Sequence, residues 1–340
     1  MKVLCIRLTA LGDMVVTTPV YRALHVQLGA EVHVLTRAGT AQMLTHNPYV
    51  AEVVDYAQEG LVAKLRAAGY ALVIDLHCNA RSHKLRLALG LPSVGYHKRN
   101  VEKGLLSRGI DRLGRQHLVD RYFETLAPLG IAYDGRGLDY FVDAQERADA
   151  RSALAERGVG EQTFVALVIA GTHYTKRMPA ELVAAVVRQS PLPTVLLGGP
   201  DVRALADEVM AATAADVAAA PVDLVARLPL RVSCAVLAEA ASVVATDTGL
   251  MHVAAALDKP IVSVWGSTAP PYGMYPFVPR GREARVRHAE VQGLGCHPCS
   301  KIGYPACPRG HFKCMREQDP AAIVRDAVAL AADAGVVRPT

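Results

Sequence analysis

The chain has 340 residues, 51% of them hydrophobic, with seven cysteines and a formal net charge of +5. That length suits two domains of ordinary size, and so apolar a composition excludes a disordered chain. No apolar run reaches the roughly 18 residues of a membrane-spanning helix, and residues 1–16 are interrupted by Arg7 and Asp13 without a small-residue cleavage site, so the expectation is a cytoplasmic protein without a signal peptide.

Residues 2–8 are predicted as a first strand and 13–28 as a helix with Pro19 in an early turn. Strands follow at 31–36 and 50–55. Residues 71–76 (Ala-Leu-Val-Ile-Asp-Leu) form a continuous apolar run, the pattern of a strand covered on both faces in a parallel sheet. Residues 81–121 hold ten Lys/Arg against Glu102, Asp111 and Asp120, with His83, His97 and His117 among them. Such a stretch is either a solvated surface or a face for an anionic partner. Its scarce aromatic residues argue against nucleic acid. A helix at 118–129 leads to the end of the first block near Tyr140.

Residues 141–160 read as a charged, Ala-rich helix closed by Gly158-Val159-Gly160, a boundary signal. A second block then alternates strand and helix: strands at 164–170, 194–197, 242–246 and 261–265, helices at 179–189, 202–212 and 233–241. A last helix is predicted at 320–334. Two such blocks imply two doubly wound α/β domains, which bind ligands at the carboxyl ends of their strands, here in the cleft between the domains. The expected division is 1–150, 160–319 and a helix in 320–340 packing back on the first domain.

Several turns carry polar groups at those strand ends. Gly12-Asp13 follows the first strand. Asp13 is either a helix cap or a carboxylate at the mouth of a site, and Gly12 permits close approach or unusual backbone. The turn Ala170-Gly171-Thr172-His173-Tyr174-Thr175-Lys176-Arg177-Met178-Pro179 offers Lys176 to neutralise a phosphate and Thr172 to hydrogen-bond one. Asp201, after Gly198-Gly199-Pro200, is either a cap or a ligand of ribose hydroxyls. The run Thr246-Asp247-Thr248-Gly249-Leu250-Met251-His252 ends a strand and opens a short apolar helix, and Trp265-Gly266-Ser267-Thr268 ends the next strand. Two small polar turns beside a helix N-terminus suit a diphosphate. Neither the three-glycine dinucleotide fingerprint nor the phosphate-loop motif is present.

Cys5, Cys78 and Cys234 read as buried thiols. Cys296, Cys299, Cys307 and Cys314, spaced C-x2-C-x7-C-x6-C in a Gly/Pro-rich segment (295–315), fit a structural four-thiolate site for zinc or iron. Reduced free thiols and a pair of disulfides are the alternatives, disulfides being disfavoured in a reducing cytoplasm. His297 and His311 are lesser candidate ligands.

Together these features resemble glycosyltransferase family 9, the ADP-heptose:lipopolysaccharide heptosyltransferases. The resemblance spans nearly the whole chain. It rests on Gly12-Asp13, on Lys176 before Pro179, on Asp247-Thr248-Gly249-Leu250-Met251-His252 and on Gly266-Ser267-Thr268. It implies a GT-B fold, two Rossmann-like domains facing a central cleft, with the C-terminal one holding the nucleotide sugar. It implies inverting transfer of heptose from ADP-heptose to the lipopolysaccharide core or lipid A acceptor, at the inner membrane surface and without a cofactor for the transfer. Asp13 would be the general base and Lys176 would stabilise the leaving diphosphate. Gly12, Thr172, Asp201, Asp247, Thr248, Gly249, His252, Ser267 and Thr268 would line the substrate. A carboxylate at Asp247 would repel phosphate, so the expectation is that it holds the turn through backbone N–H groups or meets a sugar hydroxyl. Arg177-Met178 stands where the family often has an aromatic residue. Some members modify proteins and carry an iron-bound cysteine finger. The rival readings are another nucleotide sugar, a protein acceptor, an epimerase-type relative that frees sugar without an acceptor, and a non-catalytic nucleotide-sugar-binding module.

Overall fold

The computed structural model describes residues 1–114, 116–215 and 220–335. Contacts divide the chain into two compact units, Met1–Arg99 with Gln116–Phe141, and Asn100–Arg115 with Val142–Thr340.

The first unit carries β1 (Lys2–Ile6), α1 (Leu11–Val16), α2 (Thr18–Leu28), β2 (Glu31–Thr36), α3 (Ala38–Ala41), β3 (Glu52–Asp55), α4 (Leu61–Ala67), β4 (Leu72–Asp75), α5 (Ala80–Leu89) and β5 (Ser93–Gly95). After α6 (Asn100–Leu106), which groups with the second unit, it resumes with α7 (Leu118–Leu126). Its five strands are all parallel, in the order β3-β2-β1-β4-β5. Leu4, Ile6, Leu35, Val54 and Val73 of the sheet pack with Leu65 of α4 and Leu85 and Leu89 of α5. The helix expected over 13–28 is two helices meeting at Thr17, with Pro19 inside the first turn of α2, where its missing N–H costs nothing. Buried Arg22 of α2 pairs with Asp134 and Asp139 and donates to the Gly137 carbonyl at 2.9 Å, so the strandless segment after α7 is tied to this unit by charge.

The second unit adds α8 (Ala144–Ala155), β6 (Val165–Val168), α9 (Ala180–Gln189), β7 (Thr194–Leu197), α10 (Arg203–Thr213), β8 (Val222–Asp223), α11 (Leu230–Glu239), β9 (Ser242–Thr246), α12 (Gly249–Ala256), β10 (Ile261–Trp265), β11 (Val286–Glu290), α13 (Lys313–Arg316) and α14 (Pro320–Asp333). The sheet is again parallel, in the order β11-β10-β9-β6-β7-β8. Every residue of β6, β7, β9 and β10 is buried, as sequences covered by helices on both faces require. Asp319 caps α14 by accepting from Ala321 N and Ala322 N, and Pro320 starts the helix. Ile323, Val324, Ala327 and Leu330 of α14 join the core of the second unit with Val183 and Val187 of α9. An apolar stripe over a fully apolar sheet face thus finds a partner in its own unit.

In both sheets the chain starts at an inner strand, runs outward to one side, then returns and runs to the other. The reversals fall between β1 and β4 and between β6 and β9. These are the switch points where the loops at the carboxyl ends diverge and leave a crevice. No helix among the described residues is long and apolar enough to cross a membrane.

Candidate active site

At the β1/β4 switch point the register sets Ile6 opposite Asp75, so Arg7 leaves β1 beside Leu76. Arg7 is 6% exposed. It donates from Nη1 to the Leu76 carbonyl at 2.5 Å and to the Tyr122 hydroxyl at 3.3 Å, and from Nε to the Thr9 carbonyl at 2.8 Å. Its remaining nitrogen pairs with the carboxylate of Asp13. Burial opposes the Arg7 charge, and Asp13 more than offsets this, so the guanidinium is held above its ordinary range. Asp13 is not the cap residue of α1. It stands one turn in, and its Oδ2 accepts from the N–H of the cap residue, Ala10, at 3.1 Å. Its side chain stays 24% exposed. Gly12 lies buried inside α1 with no left-handed backbone.

The loop after β4 brings residues that the motif reading missed. Asp75 Oδ1 accepts from His77 N at 2.9 Å and Cys78 N at 2.7 Å, which shapes the turn. The Nδ1 atom of His77 is buried, with no hydrogen-bond partner among the described residues. Burial, and then the charges of Arg7 and Lys98, push the His77 imidazole down to about 4. Burial and Arg7 lower Lys98 as well. The signal available in sequence was a charged Arg7 directly after an apolar strand, and a His and an Asp closing another.

The β6/β9 switch point gathers most of the predicted donor-side residues. Thr246 donates to the Ala170 carbonyl at 3.0 Å, tying the loop after β6 to the end of β9. Asp247 follows and is 8% exposed. Its Oδ2 lies 2.9 Å from Lys176 Nζ and accepts from Thr268 Oγ1 at 3.0 Å. The expected backbone N–H partners are therefore not its described ones: a lysine and a hydroxyl from neighbouring loops hold the carboxylate. Thr248 caps α12, accepting from Met251 N at 3.4 Å, and Gly249 is the first helical residue. His252 is buried one turn further on. The Ser267 hydroxyl lies 2.8 Å from that of Thr175, next to Lys176. The arrangement can hold an anion: a lysine, hydroxyls and the start of a helix share one strand-end crevice.

Two predicted residues stand apart. Thr172 is exposed, with no described hydrogen bond to this group. Asp201 does not cap α10 with its side chain. It is taken by Arg177, which reaches Asp201 Oδ2 at 2.8 Å and the Gly171 carbonyl at 2.6 Å. Arg177 thus fixes the loop to the segment that leads into α10.

The basic stretch is not one solvated face. Arg86 reaches Asp75 and Ser93, and Arg121 is 2% exposed. Residues 100–115 group with the second unit, where Leu106 and Leu113 pack on Tyr272.

All seven cysteines are free. Cys296 Sγ lies 3.8 Å from His311 Nε2. Burial, and then the three neighbouring cysteines, push the Cys314 thiol up to about 12, and Cys299 is raised for similar reasons. Among the described residues no three of these sulfurs converge to within 4.8 Å of one another. A tetrahedral site needs deprotonated sulfurs about 2.3 Å from one ion. As placed, the four sulfurs are not gathered as such a site requires.

A family model described as "Glycosyltransferase family 9 (heptosyltransferase)" matches residues 60–301. Lipopolysaccharide heptosyltransferase 1 of Pseudomonas aeruginosa is 27% identical, over 88% of this chain and 86% of the relative. The structure of E. coli ADP-heptose LPS heptosyltransferase II superposes with a TM-score of 0.74 at 21% identity, covering 98% of this chain and all of that one. The dodecameric iron-containing heptosyltransferase TibC of enterotoxigenic E. coli, solved with ADP-D-β-D-heptose, gives 0.59 at 13% identity, over 99% of this chain and 76% of that one.

Proposed function

The chain belongs to glycosyltransferase family 9 and has the GT-B fold, and from that membership we propose that it transfers heptose from ADP-heptose to a hydroxyl of the lipopolysaccharide inner core, inverting the sugar carbon. The single observation carrying the reading is the meeting of Lys176, Asp247 and Thr268 at the β6/β9 switch point, where Thr248 caps the helix that begins there. The names of the relatives supply the donor and the acceptor class.

In this reaction the acceptor O–H loses its proton to Asp13, its oxygen bonds to the anomeric carbon, and the bond from that carbon to the diphosphate breaks. ADP leaves with the electron pair. Arg7 aims Asp13, because a buried guanidinium with three fixed acceptors cannot follow a moving partner. Lys176, together with the N–H groups that open α12, stabilises the charge that develops on the departing diphosphate. No step needs a metal. The acceptor is carried by a lipid, so the enzyme would work at the inner face of the cytoplasmic membrane without spanning it.

A donor panel tests the reading. Turnover with ADP-heptose on a heptose-deficient core acceptor is the expected result. Turnover with a UDP- or GDP-sugar and none with ADP-heptose would overturn it, and release of free sugar without acceptor would point to an epimerase-type relative. Assaying purified protein for zinc and iron tests the cysteine segment separately: about one equivalent supports the four-thiolate expectation.

A further inference from the structure

We infer that residues 297–304, within the cysteine-bearing segment, form a positioning clamp for Lys176, with Gly303 and Ser300 as its positioning residues. The inference deepens the donor-site reading above and rests on it for the identity of the ligand.

The clamp is built from interlocked loops of the second unit. The short turn Tyr174–Lys176 places Thr175 in the interior, 1% exposed. Its N–H donates to the Tyr304 carbonyl at 3.2 Å, and its hydroxyl accepts from Tyr304 N at 2.8 Å. Its carbonyl accepts from Ser267 N at 3.1 Å. The Ser267 carbonyl in turn accepts from Cys299 N and Ser300 N, each at 3.1 Å. His297 Nε2 lies 3.1 Å from the Thr268 carbonyl. The segment is thereby bonded to the two loops that present Lys176 and Thr268 to Asp247.

Gly303 closes the arrangement. It adopts φ +97°, and a Cβ there would fall 2.7 Å from His173 Cβ and 3.1 Å from both Cγ and Cδ of Lys176. Bare backbone therefore lies along the lysine stem. The Ser300 hydroxyl holds that backbone in place by accepting from Gly303 N at 2.9 Å. Gly266 approaches the same turn closely, where a Cβ would meet the Thr175 carbonyl at 2.5 Å. A lysine stem has four rotatable bonds, and an unsupported one must be ordered when ligand binds. A wall along the stem removes that cost beforehand, so the loop acts on donor affinity through Lys176 without touching the diphosphate.

The test is a double-mutant cycle on the full chain with ADP as the probe, read by calorimetry. Gly303→Ala is expected to weaken ADP about tenfold, and by less than about twofold in a Lys176→Ala background. Equal weakening in both backgrounds, or none in either, overturns the clamp, because a merely structural glycine would not depend on Lys176. Gly295→Ala, whose Cβ would meet nothing within 4 Å, is the control and should leave ADP affinity unchanged. If Gly303→Ala does not fold, Ser300→Ala replaces it in the cycle, with an expected loss of about threefold and rescue by Ser300→Thr. A wild-type protein that does not bind ADP refutes the donor reading and leaves the clamp to the same cycle in thermal midpoints. There, Gly303→Ala should cost less once the Lys176 stem is gone, and equal costs would overturn the clamp.

Discussion

The two switch points have the same parts in opposite roles. After β1 the cation is the fixed member: Arg7 is buried and spends three hydrogen bonds on the Thr9 and Leu76 carbonyls and the Tyr122 hydroxyl, while Asp13 keeps a quarter of its side chain exposed. After β6 and β9 the acid is the fixed member: Asp247 is held by Thr268, and the lysine comes to it on a long stem. One crevice thus presents a carboxylate on a rigid cation, the other a cation on a rigid carboxylate. The proposed displacement needs a base toward the acceptor and positive charge toward the leaving group, and that proposal gives these parts to Asp13 and Lys176.

The contrast breaks most sharply at Asp13. Asp13→Asn should lower turnover by about 10²–10⁴ while ADP affinity stays within about twofold of wild type. Calorimetry beside a transfer assay reads both, and a parallel loss of ADP affinity would erase the division of roles. Lys176→Ala should do the reverse, weakening ADP by about ten- to a hundredfold, the worth of one charge-assisted hydrogen bond. It also leaves Asp247 without its cation, facing an anion. The double variant Lys176→Ala/Asp247→Asn should therefore bind ADP better than Lys176→Ala alone, and a weaker double variant would mean that Asp247 serves the ligand directly. Thr268→Val should cost less, about three- to tenfold in ADP affinity, by loosening the carboxylate that places the lysine.

The smallest effect concerns the environment of the rigid cation. His77 stays neutral down to about pH 4 in the folded protein, whereas an unfolded chain protonates it near pH 6.5. Between those values the unfolded state binds more protons, so stability falls as pH drops through that window. His77→Gln should flatten the dependence of the thermal midpoint between about pH 6.5 and 4. An unchanged slope would show that the folded protein does not depress the imidazole.

How much of this was legible in sequence depended on how far apart the partners lie. Buried parallel strands announce themselves as apolar runs, and 31–36, 194–197, 242–246 and 261–265 match β2, β7, β9 and β10 residue for residue. The edge strands β5, β8 and β11 were missed: the first two hold three and two residues, and β11 (Val-Arg-His-Ala-Glu) is largely polar. The helix break at Thr17 was missed because Pro19 suits a first turn as well as it suits a continuing helix misread from its periodicity. Asp13, Lys176 and Asp247 stood out as charged groups in small-residue turns. Their partners did not: Arg7 meets Leu76 across 69 positions, and Lys176 meets Asp247 only because the switch makes β6 and β9 neighbours. For the four thiols, spacing records which ligands are possible and says nothing of whether the sulfurs meet.

The strand order carries one more consequence. A parallel sheet leaves unpaired peptide groups along both rims, an invitation to another molecule's backbone. Here the rims are stubs: β3 runs Glu-Val-Val-Asp, β8 is a dipeptide ending in Asp, β5 a tripeptide, and β11 interposes Arg287, His288 and Glu290. Short or charged margins of this kind are poor templates for a foreign strand, so the sheet edges of a chain that is half apolar carry their own guard against pairing with another copy.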